Sequence, residues 1–81
     1  MTLQDTINLM TSDDYKDRFK AEYQQLDIRL SGLAEMLDKY KAGTLPFKPK
    51  CSFELLHKQF QAMGSYKEQL LERAKIEGIE L

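Results

Sequence analysis

The chain has 81 residues, 42% of them apolar and 31% charged, with a net charge of −1. That length bounds it to one domain, and the balance is globular or coiled-coil rather than disordered. It excludes an overall basic pull toward duplex nucleic acid, and a single cysteine excludes an intramolecular disulfide, so a reducing compartment is expected.

The N-terminal stretch "MTLQDTINLM" has neither a positive leader nor a continuous apolar run and does not read as a signal peptide. No segment reaches the roughly 18 apolar residues of a spanning helix, so no membrane association is expected. Leu3, Ile7 and Met10 fall at helical spacing, and Thr2 with Asp5 forms a capping signal. Residues 1–11 are therefore expected to be an arm, either a short helix or partly frayed.

A long helix is expected over residues 12–42. Thr11 or Ser12 would cap it, and Asp13 and Asp14 would complement the positive end of its dipole. Phe19, Tyr23, Leu26, Leu30, Leu33, Leu37 and Tyr40 are spaced 4, 3, 4, 3, 4, 3, an a/d seam. Lys39 and Lys41 sit in the last turn, and Gly43 is a natural stop.

Residues 43–51 form the connector, within "GTLPFKPKCS". Pro46 and Pro49 hold it extended, and Leu45 and Phe47 are placed to fold back over the end of a hairpin. A second long helix is expected over residues 52–78, capped by Cys51 or Ser52 and stopped by Gly78. Phe53, Leu56, Phe60, Met63, Leu70 and Ala74 follow a 3–4 spacing, with Lys67 in one inward slot. Leu55, Tyr66 and Leu71 widen the apolar stripe.

No segment alternates with period two. The expected fold is all-α: a long antiparallel helical hairpin with an N-terminal arm. A hairpin this small buries little apolar surface against its conformational entropy. Self-association through the helix seams into a multi-helix bundle is therefore expected, unless the arm covers the stripe of the second helix.

No constellation carries catalysis, so the chain is not expected to be an enzyme, and no cofactor or metal is implied. His57 and Cys51 have no zinc spacing and no further ligands nearby. Cys51 has no base beside it in the pattern. The one asymmetry is electrostatic. Residues 39–50 carry Lys39, Lys41, Lys48 and Lys50 and no acid, whereas residues 5–17 carry Asp5, Asp13, Asp14 and Asp17. The lysines surround the closed end of the hairpin, where the second helix begins. Phe47 and Tyr40 could supply a stacking face. Together these six residues form a candidate site for a small phosphorylated ligand, although lysines also decorate helix ends without any ligand.

The blocks "MTSDDYKDRFKAEYQQL", "GTLPFKPKCSFELL" and "MGSYKEQLLERAKIEGIEL" together resemble a family of small phage and prophage proteins of unknown function, the crAss-like phage related proteins. The family often has proline after the connector cysteine, where this chain has Ser52. In size and hairpin organisation the chain is also more distantly similar to the helical-hairpin sponges with which phages sequester cyclic nucleotide signals of CBASS and Thoeris immunity. The resemblance implies a non-enzymatic, oligomeric protein in the cytoplasm of a bacterial host. It carries no ligand-binding residue over by position. Two functions follow as expectations: capture of a host cyclic nucleotide, or a helical module that docks on a host or phage protein.

Overall fold

The computed structural model describes residues 1–81, and every regular element in it is helical. A 3₁₀ turn, Leu3–Thr6, leads into α1 (Ile7–Met10). Two long helices follow, α2 (Tyr15–Ala42) and α3 (Phe53–Glu77). They form an antiparallel hairpin within an envelope of 43 × 25 × 16 Å.

The first long helix starts later than the expected Thr11 or Ser12 cap allows. Asp14 is extended, at φ −81° and ψ 122°, and its carboxylate accepts from the Lys16 amide at 2.9 Å, so Asp14 is the cap. Ser12 instead braces the approach. Its hydroxyl accepts from the Asp14 amide at 3.1 Å and donates to the Asp17 carboxylate at 2.9 Å. Thr11 belongs to the arm, where its hydroxyl donates to the Ile7 carbonyl at 3.0 Å. At α3, Ser52 rather than Cys51 is the cap, accepting from the Leu55 amide at 3.1 Å.

Both long helices end in the same way. Gly43 and Gly78 take left-handed φ values of 75° and 71°, which residues bearing a Cβ rarely adopt. The Thr44 amide then reaches back to the Lys39 carbonyl at 3.0 Å, and the Ile79 amide to the Ala74 carbonyl at 2.8 Å. The second reversal throws Ile79 into the core.

That core lies at the open end of the hairpin. Phe19, Leu26, Leu70, Ala74 and Ile79 form one buried cluster, with Tyr23 and Met63 packed on it. The seams meet as their spacing requires, and polar pairs flank them on both sides. On one flank Tyr66 donates to Glu22, and Arg73 donates to the Tyr15 hydroxyl at 2.8 Å. On the other, Lys67 lies 2.7 Å from Asp27, and that bond raises the lysine's pKa. The inward lysine is thus accommodated by a partner instead of an apolar contact.

The arm is docked, not frayed, and it packs on the back of α2 alone. Thr6 is fully buried there: its hydroxyl donates to the Leu3 carbonyl at 2.7 Å and accepts from Gln25 at 3.0 Å. Ala21 is buried on the same side. The arm therefore does not cover the stripe of α3.

Leu70→Ala should lower stability by about 3 kcal/mol in chemical denaturation, because Leu70 is 1% exposed. Leu33→Ala should have a smaller effect, since that seam position is only half-buried.

The arm should also respond to acid. The Thr2 amide donates to the Asp5 carboxylate at 2.9 Å, and this bond holds the carboxyl below its ordinary 3.8. A depressed carboxyl favours the folded arm above its unfolded pKa, and that advantage is lost as pH falls through the folded value. On acidification below 3.8, arm amides should lose exchange protection before those of α2, and Asp5→Asn should remove the effect.

Candidate functional site

The closed end of the hairpin is built differently from the core. After Gly43 the connector turns back along the outer face of α2. Leu45, Pro46 and Phe47 line one cleft together with Gly32, Met36 and Lys39. Leu45 is half-buried, but Phe47 stays 57% exposed and does not cap the bundle end as expected.

Two open clefts flank the Leu45–Phe47 segment. One, of about 240 Å³, is lined by Tyr40, Gly43, Leu45, Phe47, Lys48 and Pro49. The other, of about 320 Å³, lies between the segment and the outer face of α2 and includes Glu35 and Lys39. Leu45 and Phe47 form the wall between them.

Four of the six expected site residues line these clefts: Tyr40, Phe47 and Lys48 the first, Lys39 and Phe47 the second. Lys41 does not join them. Two positions along a helix rotate a side chain by about 200°, so Lys39 and Lys41 face nearly opposite sides of α2. Lys41 borders a third cleft, of about 220 Å³, together with Asp38, Phe53, His57 and Phe60. Lys50 lines none of the three.

The cationic character of the end is lower than the linear run of lysines suggests. Glu35, one turn before Lys39, sits 3.2 Å from its ammonium. Both side chains are largely solvated, which makes the pair weak and easily exchanged. Lys48 forms no ion pair and is the free cation of the first cleft.

Tyr40 has a second role. Its ring meets Phe53 edge-on, with centroids 5.6 Å apart, and so joins the start of α3 to the end of α2. His57 continues that aromatic run. It is exposed and lies nearly parallel to Phe53, at 5.8 Å and 10°, and to Phe60, at 6.3 Å and 18°. The sequence pattern did not single out the third cleft. The spacing of Phe53, His57 and Phe60 along one helical face was the available signal.

Cys51 is exposed and lines no cleft with His57. No group of three or more His, Cys, Asp or Glu side chains is disposed to hold a metal ion. No helix is long and apolar enough to cross a membrane.

The fold and its clefts define a small helical-hairpin protein with two ligand-sized openings beside its connector and a third at the closed end of its seam. Residues 13–76 match the sequence model of the Sequestin family, and the chain belongs to that family. Among curated proteins and among solved structures, nothing matches the chain.

Cys51→Ser should leave stability within about 0.5 kcal/mol of the parent in chemical denaturation, since the residue is exposed and Ser52 already caps α3.

Proposed function

We propose that the chain is a non-enzymatic binding protein of phage origin that sequesters a small anionic host signal, of the cyclic nucleotide class, at the closed end of its hairpin. The family name is that of a sequestering role. The observation that carries the reading is the convergence of Phe47, Tyr40 and an unpaired Lys48 on one open cleft, with Lys39 in the adjoining one.

In this reading Lys48 donates to a phosphate, and Phe47 presents its exposed ring to a base. Lys39 exchanges Glu35 for a second phosphate oxygen. Trading a weak solvated ion pair for a phosphate carries little penalty. Lys41 and Lys50 contribute only to the surrounding field. In this reading the ligand is held and later released unchanged.

The competing function, a module that docks on a host or phage protein, draws support from the exposed apolar side chains Leu55 and Tyr66 on α3. The two differ in what they need from Lys48. Capture of an anion depends on that charge, whereas docking through α3 does not.

Titration calorimetry with cyclic dinucleotides, cyclic trinucleotides and cyclic ADP-ribose isomers tests the proposal. At least one should bind and be recovered intact after heat denaturation. Lys48→Glu should weaken its binding tenfold or more, because a charge-assisted hydrogen bond contributes about 1.5–3 kcal/mol. Lys50→Glu should stay within about a factor of two, by the same conversion. Binding that ignores Lys48 would place the site elsewhere.

A further inference from the structure

The third cleft has no part in the anion site. It lies between α2 and α3 at the closed end of the seam, and the edge-on contact of Tyr40 with Phe53 stands between it and the cleft of Lys48. Its floor is apolar: Leu37 is buried, and Phe53 and Phe60 are half-buried. The wall from α3 is aromatic. The ring planes of Phe53 and His57 differ by 10° and those of His57 and Phe60 by 18°, so a flat ring system can lie parallel to all three. The wall from α2 is polar, with Asp38 and Lys41. Opposite charges three residues apart on a helix can pair, yet both side chains are exposed and neither forms an ion pair. An acceptor and a donor are thus left free on one edge of an aromatic cleft.

We propose that this cleft reads guanine. The base of a guanine nucleotide lies along the rings of α3 and turns its Watson–Crick edge to Asp38 and Lys41. The inference goes beyond the anion site of Lys48 and does not rest on it.

Size, shape and hydrogen bonding select that occupant. A volume of about 220 Å³ falls short of the roughly 300–1,000 Å³ of sites for drug-sized ligands, so the cleft takes one ring system and leaves sugar and phosphate in solvent. Stacking on aromatic side chains favours any base there. The α2 wall discriminates between bases. Guanine presents two donors, N1–H and the 2-amino group, beside one acceptor, O6. The Asp38 carboxylate can accept from both donors at once while the Lys41 ammonium donates to O6. Hydrogen bonds to ionised groups are the strong ones. Adenine, with one amino group and no N1–H, offers the carboxylate a single donor. A cationic ring would be opposed by Lys41, and an apolar one would leave both charges without a partner.

Amide NMR titration of the full chain with GMP and with AMP tests this, because the two share ribose and phosphate and differ only in the base. GMP should bind at least about tenfold more tightly than AMP and shift the amides of Asp38, Lys41, His57 and Phe60. Asp38→Asn puts a donor where there was an acceptor. Xanthine carries a carbonyl in place of the 2-amino group of guanine, so this variant should prefer XMP to GMP. His57→Ala removes one ring at an exposed position and should weaken GMP about fivefold or more. Lys48→Glu should leave the ratio of GMP to AMP affinity unchanged, since the phosphate is common to both, and this separates failure of the anion site from failure of the base site. Absence of GMP binding, equal affinity for GMP and AMP, shifts confined to the Lys48 cleft, or a GMP preference that survives Asp38→Asn each overturn the proposal. If Asp38→Asn fails to fold, the GMP to AMP ratio of the parent and the loss in His57→Ala still decide.

Discussion

The structure depends on the burial of Phe19. Its ring is 2% exposed, and around it lie Leu26 from the same helix, Leu70 and Ala74 from α3, and Ile79 from beyond α3. The Arg73 guanidinium covers the ring at 4.9 Å from its centroid, and Tyr15 tilts against it at 6.2 Å. Once Phe19 sits opposite Leu70 and Ala74, the register of the hairpin is set. Every other cross-helix contact then follows from helical phase. Lys67 meets Asp27, Tyr66 meets Glu22, and the last turn of α2 arrives beside the first turn of α3.

This placement divides the molecule into two ends with different properties. The open end is dry, aromatic and aliphatic. The closed end holds half-buried rings, two prolines and loosely covered clefts. Tight packing excludes a ligand, whereas a turn whose φ angles are constrained by proline keeps its shape without being filled. The connector can therefore hold Phe47 in solvent and keep a cleft on either side of the segment that carries it.

Much of this was legible from residue spacing. The a/d seam of α2 and the inward slot of Lys67 are consequences of period alone, and both stops follow from glycine's access to left-handed backbone. What spacing could not show lay outside the periodic segments or depended on three-dimensional phase. Ile79 is buried only because Gly78 turns left-handed and sends the next residue backward. Asp14 displaced Ser12 as the cap because both can serve, and the choice rests on which backbone is extended. The lysines of residues 39–50 looked like one patch because a linear window ignores rotation. Helical phase sends Lys41 to the far side and brings Glu35 beside Lys39, so the patch reduces to Lys48 with a compensated Lys39. The widened apolar stripe of α3 divides in space, with Leu55 and Tyr66 on one flank and Leu71 on the other, one turn from Lys67.

The two helices are fastened at opposite ends by different means. At one end the link is covalent, through the connector. At the other it is noncovalent, through the cluster around Phe19 and the backward turn at Ile79. The peptide bonds between Gly43 and Ser52 are therefore not what holds α2 and α3 in register. Chain cleavage there would release strand-like freedom at the cleft walls while leaving the core intact, as with a book whose spine is cut but whose clasp stays shut. Register and cleft shape are thus fastened independently, the first by the cluster around Phe19 and the second by the two prolines of the connector.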